Sequence, residues 1–410
     1  MLTSRGVSLL LAVIILIAIA WNTDITMVYI FFVIAFVMFT LSYFHMRLNI
    51  PDINIQRTAQ ETAFEDEMLN IKMSIRNNLS RGVSFFEIMD YFPAAQPGKE
   101  KASLFVLEIK PKEEISFNYV VECYKRGLWK MGPIEVISQD ALGFFRMKRI
   151  LNIMSNIIVY PSFFRIFAFP PLASGSVSWM GVETAKISGD SHEFFGIREY
   201  QRGDSMSRIH WLSSARHNKL IVKQFERNSI QEVTIVLDLK KGNDIGVGRE
   251  TTLEYSVKIA GSIARFLMNI GAFVQIVGFT KEAAILPLGK GASHLYKILE
   301  YLARVRADSS YTLSETLDEA SFIAPYGSTL ITIMLDTDME ALSSLVQFKL
   351  KGIKLIVAVL SSSTFGHTEE SEYLDVEGAK RFDEALAGLE AHVYRISKGD
   401  DLEKSFETAL

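Results

Sequence analysis

The chain has 410 residues, enough for more than one domain, and 49% of them are hydrophobic. Its mean hydropathy of +0.19 is high for a soluble enzyme and low for a polytopic transporter, and most of the apolar excess lies before His45. The formal net charge of −4 gives no sign of an electrostatic nucleic-acid binder. The single cysteine, Cys123, cannot form an intrachain disulfide, which fits a reducing compartment.

Two uncharged apolar runs open the chain, one from Gly6 to Trp21 and one from Met27 to Phe44. A helix needs roughly 20 apolar residues to cross a bilayer, so the second run is long enough and the first is marginal. The connector between them is short and polar. The sequence therefore predicts a transmembrane helical hairpin over residues 1–46.

Basic residues around these runs predict the orientation. Arg5 precedes the first run, Arg47 and Arg57 follow the second, and the connector has no Lys or Arg. The positive-inside rule then places an integral protein in the cell membrane with the bulk of its chain cytoplasmic. The alternative is a signal peptide cleaved after Ala18-Ile19-Ala20, in which case the second run still returns the chain to the cytosol.

Short alternating apolar segments follow, separated by polar turns. Met68 to Arg76 alternates strictly, and strand-like runs recur up to Tyr160. Several short strands at close spacing predict an antiparallel β-sandwich over residues 52–165. It carries no catalytic constellation, so a spacer or a protein-binding module is the expected role.

A charged and aromatic segment, residues 166–229, comes next. Acids and bases are nearly balanced in its second half and alternate with Phe, Tyr, Ile and Trp. This mixture favours an ion-pair network that fixes a surface, and it disfavours a one-sided phosphate-binding strip. Its histidines are expected to be hydrogen-bonded within the network, with a metal site or an unrecognised hydrolase as alternatives.

Residues 230–410 alternate between apolar strands and amphipathic helices. This order predicts an α/β domain with a mostly parallel, doubly wound sheet. Asp238 and Asp336 each end a predicted strand, where carboxylates suit Mg²⁺ or Mn²⁺ or cap a following helix. No glycine-rich phosphate loop follows a strand, so neither ATP nor a dinucleotide cofactor is expected.

The order of these parts and one group of residues resemble the family called domain of unknown function 58. Asp140-Ala141-Leu142-Gly143-Phe144 also resembles the family. The residues of the central segment that carry the resemblance, which we predict to form an interaction site, are His192, Glu193, Arg198, Glu199, Tyr200, Gly203, Asp204, Arg208, His210, Trp211 and Arg216.

The resemblance implies a C-terminal fold like the von Willebrand factor A domain and a MoxR-type AAA+ ATPase as a protein partner. Related A-domains bind a divalent metal through Asp-x-Ser-x-Ser, a Thr and a later Asp. Here Asp238 is followed by Leu-Lys-Lys-Gly, so both serines are missing; Thr312 and Asp336 match the other two elements by position.

The leading hypothesis is therefore a membrane-anchored, cytosol-facing interaction scaffold, not an enzyme, that works with an AAA+ ATPase in complex assembly or cell-envelope maintenance. Metal-dependent ligand binding at the Asp238–Asp336 edge is the first alternative. A hydrolase that uses His192 and His210 is the second.

Overall fold

The structure is a computed structural model that describes residues 2–23, 25–48, 52–140, 142–173, 194–201, 206, 209–225, 231–280, 285–366 and 376–407. The chain forms two compact units. The first comprises Met1–Phe163 with Leu299–Val305, and the second comprises Phe164–Ile298 with Arg306–Leu410.

Two helices open the first unit, α1 (Ser4–Thr23) and α2 (Thr26–Leu48), and they pack against each other across a tight connector. Both are long and apolar enough to cross a membrane by length and composition, the test that signal sequences also pass. Their apolar side chains are mostly exposed, so these are not the buried core helices of a soluble domain. The predicted pair of apolar helices is thus present, and it favours membrane association.

Both free ends of this hairpin contact one loop of the β-rich region. The Thr3 hydroxyl donates a hydrogen bond of 2.6 Å to the carbonyl oxygen of Gly143. The rings of Phe39 and Tyr43, near the end of α2, lie 5.0 and 5.6 Å from the ring of Phe145. The Asp140–Phe144 motif noted in the sequence therefore holds the base of the hairpin.

The β-rich region contains ten strands. They are β1 (Ile53–Thr58), β2 (Thr62–Phe64), β3 (Met68–Asn77), β4 (Val83–Tyr91), β5 (Lys101–Ile109), β6 (Glu114–Glu122), β7 (Gly127–Met131), β8 (Ile134–Gln139), β9 (Arg146–Leu151) and β10 (Ser155–Tyr160). The sheets have the orders β1-β3-β6, β5-β4-β8-β9 and β2-β10-β7.

Buried and exposed residues alternate along the strands in the way that the apolar and polar residues of the sequence predicted. In β3, Leu69, Ile71, Met73 and Ile75 are fully buried, and the polar residues between them point away from the core. Residues of β3, β4, β5 and β8 share one core, so two sheets face each other as a sandwich requires. One pair departs from the antiparallel prediction: β2 and β10 are parallel, because they are distant in sequence and not joined by a hairpin.

Arg57 lies in a buried ion pair of the sandwich. Its Nη1 is 2.6 Å from Oδ1 of Asp90, and the two side chains are 0% and 3% exposed. Its Nη2 donates to the carbonyl oxygens of Met131 and Ile153, and the Tyr119 hydroxyl donates to the second oxygen of Asp90. In the folded protein this guanidinium is therefore part of the sandwich core and not of a membrane-facing surface. The orientation predicted from Arg5, Arg47 and Arg57 stays a prediction.

The second unit begins with a small β-β-α element, formed by β11 (Phe194–Glu199), α3 (Trp211–His217) and β12 (Ile221–Phe225). The two strands pair antiparallel, with Glu199 opposite Ile221. α3 connects them across one end. Residues 194–201 and 209–225, the described part of this element, thus form two antiparallel strands with one short helix between them in sequence.

A six-stranded sheet forms the centre of the second unit, in the order β17-β16-β13-β18-β19-β20. Its strands are β13 (Glu232–Leu237), β16 (Phe273–Val277), β17 (Ile285–Gly289), β18 (Thr329–Leu335), β19 (Lys354–Leu360) and β20 (His392–Ile396); a two-residue hairpin, β14 (Gly246–Val247) and β15 (Glu250–Thr251), lies outside it. All neighbouring strands are parallel except β17, which pairs antiparallel with β16. The mostly parallel sheet was predicted, and the edge strand β17 was not.

The helices that follow β15 in the chain are α4 (Thr252–Asn269), α5 (Ala292–Arg304), α6 (Leu313–Ile323), α7 (Met339–Leu350), α8 (Ser362–Phe365), α9 (Val376–Gly388) and α10 (Leu402–Ser405). Side chains of α6, α7 and α9 share one core with one face of β13, β18 and β19. On the other face of the sheet, Tyr394 of β20 stacks on Phe406 at the end of α10, with ring centroids 4.3 Å apart. Helix α4 starts at Thr252, because Thr251 caps it and belongs to β15.

Candidate functional site

Backbone hydrogen bonds and one surface ion pair hold the β11–β12–α3 element together. The amide of Tyr200 donates to the carbonyl oxygen of Leu220 at 2.8 Å, which extends the pairing beyond the end of β11. Lys219 Nζ lies 2.7 Å from Glu199 Oε1, and both side chains are exposed. The hydrogen bond and charge of Glu199 raise the pKa of Lys219. Such an exposed pair adds little stability, so it fixes local geometry only.

His210 connects α3 to β12. Its Nδ1 accepts a hydrogen bond from the amide of Ser213 and therefore caps the helix, while its own amide donates to Ile221 at 2.8 Å. The Ser214 hydroxyl donates to the carbonyl oxygen of His210 and accepts from the amide of Ile221 at 2.9 Å. These hydrogen bonds pair the polar groups at the start of α3 and hold the helix in one position against β12.

Helix α3 presents two large apolar side chains to solvent. Trp211 is 64% exposed and Leu212 is 66% exposed, immediately after the cap at His210. Arg216 is exposed in the last turn of the same helix. A tryptophan held on a capped helix and left in solvent is typical of a protein-binding anchor, because burying it would release a large apolar area from water.

The structure brings six of the eleven predicted signature residues into this element: Arg198, Glu199, Tyr200, His210, Trp211 and Arg216. Arg198 lies in β11, opposite Val222. The other five, His192, Glu193, Gly203, Asp204 and Arg208, lie outside the described residues. The Glu199–Lys219 pair is one ion pair of the kind that the sequence predicted for this segment.

A second candidate site lies at the carboxyl edge of the six-stranded sheet. Asp238 follows β13 and Asp336 follows β18, and these two strands are neighbours. Asp238 accepts hydrogen bonds from the amide of Lys240 at 3.0 Å and from the side-chain amide of Asn243. Oδ1 of Asp336 accepts from the amide and the hydroxyl of Ser362. Neither aspartate caps the next helix of its own connection, which was the simpler alternative; Asp336 instead binds the first turn of α8.

A third carboxylate, Asp338, joins this edge. Burial raises its pKa to about 8, and the negative charges of Asp238 and Asp336 act in the same direction, whereas Lys240 opposes them. Burial also raises the pKa of Asp238. Ionisation of either Asp238 or Asp338 therefore disfavours ionisation of the other, as it does for carboxylates that share a site. The sequence analysis missed Asp338, although the spacing Asp336-x-Asp338 after a strand was a usable signal.

Thr312 has a different role from the one its position suggested. Its hydroxyl accepts from the amide of Glu315, and the Glu315 carboxylate accepts from the amide of Thr312, which makes a capping box at the start of α6. The hydroxyl is thus already engaged in helix capping. Among the described residues, no group of three His, Cys, Asp or Glu side chains has the arrangement of a metal site.

A cavity of about 10 Å³ adjoins Asp238 and is lined by Asn243, Thr252 and Ser256 among others. That volume admits at most about one water molecule, so this cavity does not hold an organic ligand. The Asp238 carboxylate lines this cavity and can take up a proton there.

Comparison with known proteins places the signature and the sheet in one family. Residues 196–360 match the model of the family described as "Protein of unknown function DUF58". This part of the chain is similar to the DUF58 family. The matched range runs from the β11–β12–α3 element to the end of β19, so both candidate sites lie within the DUF58 region, and the resemblance read from the sequence is confirmed.

A curated relative, "Uncharacterized protein YeaD" of Bacillus subtilis (strain 168), is 22% identical to this chain over 203 residues. The match covers 50% of this chain and 49% of the relative, so the chain spans about half the length of the protein it matches.

Solved structures similar to part of the chain include two proteins with β-sandwich regions. The CARDB domain of the PF1109 protein from Pyrococcus furiosus is 13% identical, with a TM-score of 0.21, over 27% of this chain and 88% of that domain. A β-glucosidase from Listeria innocua is 11% identical, with a TM-score of 0.18, over 28% of this chain and 16% of the enzyme. At such low scores these similarities carry no information about function.

Proposed function

We propose that this protein is a membrane-anchored interaction scaffold. Its hairpin holds it in the cell membrane, and its folded units face the cytosol and bind a protein partner. We propose a MoxR-type AAA+ ATPase as that partner, acting in complex assembly or cell-envelope maintenance. The partner follows from the family resemblance, and the anchor follows from the two apolar helices.

The contacts at the base of the hairpin support an anchor that is retained. Cleavage after Ala20 would remove Thr3 and its hydrogen bond to Gly143, together with the helix that packs along α2. Because both helix ends meet the loop that ends at Phe145, a spanning hairpin would keep the N-terminus and the sandwich on one side of the membrane. Arg5 and Arg47 favour the cytosolic side.

A von Willebrand factor A-like identity for the second unit belongs to the same proposal. The parallel strands β16-β13-β18-β19-β20 with helices on both faces support it, as does the position of Asp238 after β13. Such a domain would act by binding, and we expect the chain to have no catalytic activity of its own. The engagement of His210 as a helix cap supports this view, because its Nδ1 already accepts a hydrogen bond from Ser213.

The observation that carries the proposal is the pair Trp211 and Leu212, exposed on a helix whose position is fixed by His210 and Ser214. Tryptophan side chains that become buried at an interface each contribute about 2 kcal/mol or more when truncated. We expect Trp211→Ala with Leu212→Ala to weaken binding to the ATPase about 30-fold or more. The measurement is the dissociation constant between the purified ATPase and the full-length protein in detergent or nanodiscs.

Val247→Ala is the matched control. Val247 is exposed to 83% in the same unit, in the β14–β15 hairpin, so its truncation removes exposed apolar area away from α3. Its dissociation constant should equal that of the wild type. Equal affinity for the wild type and the α3 variant would refute this binding surface. Repeated purification from solubilised membranes without an ATPase would refute the partner.

A second candidate function is binding of Mg²⁺ or Mn²⁺ at the Asp238–Asp336–Asp338 edge. The observation that favours it is that burial raises the pKa values of Asp238 and Asp338, so a bound cation would stabilise their charged forms. The three carboxylates do not form a preformed metal site, so a metal would have to draw them together. We expect calorimetry on the full chain to detect heat on addition of either metal, and to detect none for Asp238→Asn. Absence of binding at millimolar metal would reject this candidate.

A further inference from the structure

Three large apolar side chains that are mostly exposed lie close together in the second unit. Among the described residues, the five most exposed large apolar side chains are Trp21 (85%), Val247 (83%), Phe322 (82%), Leu350 (82%) and Tyr326 (75%). Trp21 lies at the hairpin turn and Val247 stands alone in a turn. The other three belong to one region, which we call the apolar edge patch: Phe322, Tyr326 and Leu350.

The apolar edge patch lies at the amino-terminal edge of the sheet, opposite to the carboxylates. Phe322 lies in the last turn of α6 and Tyr326 in the connection to β18, while Leu350 ends α7 just before β19. Lys351 Nζ lies 5.9 Å from the centre of the Phe322 ring, which brings the ends of α6 and α7 together. These side chains occupy helix ends and connections whose backbone is held by the sheet, so they form a fixed surface.

Lysines surround the patch. Lys351 also donates to the carbonyl oxygen of Ser321, Lys349 lies in the last turn of α7, and Lys354 is the first residue of β19. Lys349 and Lys354 donate to the carbonyl oxygens of Gly388 and Pro171. Two carboxylates lie nearby, Glu319 on α6 and Glu390, which is 3.6 Å from Lys349. Long lysine side chains can lay their methylene stems along an apolar surface and extend the ammonium outward.

From this geometry we infer that the apolar edge patch is a membrane-contact surface, which inserts Phe322, Tyr326 and Leu350 into the interfacial layer of an anionic bilayer. The inference rests on the proposed membrane anchor. Aromatic and aliphatic side chains gain free energy at the headgroup boundary, where a tyrosine keeps its hydroxyl in water. Lysines beside them attract anionic headgroups close to the surface.

The anchor favours a lipid surface over a protein as the occupant. A chain tethered by α1 and α2 keeps its folded units within reach of the bilayer, so even a weak membrane contact is populated through a high effective concentration. The chemistry of the patch, apolar tips with a basic border, matches an anionic lipid surface. A second copy of the chain would be a different occupant, and the experiment separates the two.

The test places an environment-sensitive label at the patch in the full-length protein. Cys123, which is buried, is replaced by Ala, and NBD is attached at Phe322→Cys in vesicles of phosphatidylcholine with phosphatidylglycerol. We expect acyl-chain-brominated lipids to quench the label at position 322 and aqueous iodide to quench it poorly. The quenching by lipid should diminish in vesicles that lack phosphatidylglycerol and at high salt.

Val247→Cys, with the same label and the same Cys123 replacement, is the control, because Val247 is equally exposed but isolated. It should be quenched by iodide and not by lipid. Equal behaviour of the two labels would overturn the inference. Protection of position 322 from iodide without quenching by lipid would also overturn it and would indicate a second copy. Alkaline extraction of the same vesicles tests the anchor separately, so loss of the anchor and loss of the patch contact give different results.

Discussion

Replacing Asp90 by Ala is expected to destabilise the β-sandwich by about 3–5 kcal/mol, the usual cost of removing one partner from a buried ion pair. The side chain of Arg57 is 0% exposed, so the variant would leave a guanidinium charge in the core without its carboxylate. Tyr119 would lose the acceptor of its hydroxyl as well. Burial and the Asp90 charge raise the pKa of Tyr119, so its phenol remains a donor at all physiological pH values.

Hydrogen exchange of β1 and β4 peptides in increasing urea would measure this loss, since both strands contribute to the core around the pair. The exposed pair Arg149–Asp52, 3.7 Å apart in the same sandwich, provides the control. Asp52→Ala should change stability by less than about 1 kcal/mol. If Asp90→Ala were as mild as Asp52→Ala, the buried pair would not be a main support of the sandwich.

The replacement Asp338→Asn is expected to remove much of the pH dependence of the second unit. In the folded protein the pKa of Asp338 is raised to about 8, whereas an exposed aspartate titrates near 3.8. The folded state therefore binds its proton more tightly than the unfolded state. The stability from this group is complete below the unfolded value and is lost as the pH rises through the folded value.

Each pKa unit corresponds to about 1.4 kcal/mol, so the full shift sets an upper limit of roughly 5–6 kcal/mol. Asn keeps an oxygen that can accept from the amide of Leu335 and carries no charge to repel Asp238. We expect the wild type to lose about 2–4 kcal/mol more stability than Asp338→Asn between about pH 4 and pH 9. The groups facing Asp338 are Asp238, Asp336 and Lys240, and they remain in both proteins.

Urea denaturation across this pH range, with hydrogen exchange of β18 as the readout, would measure the difference. Glu319→Gln, which neutralises an exposed carboxylate on α6, serves as the control and should follow the wild type. Parallel pH curves for the wild type and Asp338→Asn would contradict a proton shared at this edge.

Local patterns predicted the elements that bury one face. The alternation in β3 and the apolar stripe of α4 are visible in the sequence, because a strand or helix in contact with a core repeats its buried positions at a fixed period. The short edge strand β17 was not predicted, since its burial does not alternate cleanly and Pro287 and Gly289 interrupt it. An edge strand pairs with a neighbour on one side only, so its sequence need not show the regular alternation of buried and exposed residues.

The sites were harder to predict because they depend on contacts between distant residues. Arg57 looks like a membrane-flanking base until Asp90, which lies 33 residues later, is known to bind it. Thr312 matches a metal-ligand position, yet Glu315, one turn later, engages its hydroxyl. The sequence does not reveal the raised pKa of Asp338, because its causes are burial in the fold and the charge of Asp238 at the end of the neighbouring strand.

The bond between Thr3 and Gly143 also constrains the order of events during synthesis. The two residues are 140 positions apart, so the start of α1 leaves the ribosome well before its partner loop exists. At about 5–20 residues per second, the interval is on the order of ten seconds. Under the proposed membrane anchoring, the hairpin therefore enters the membrane before its base is closed, and the later arrival of the β8–β9 loop closes it.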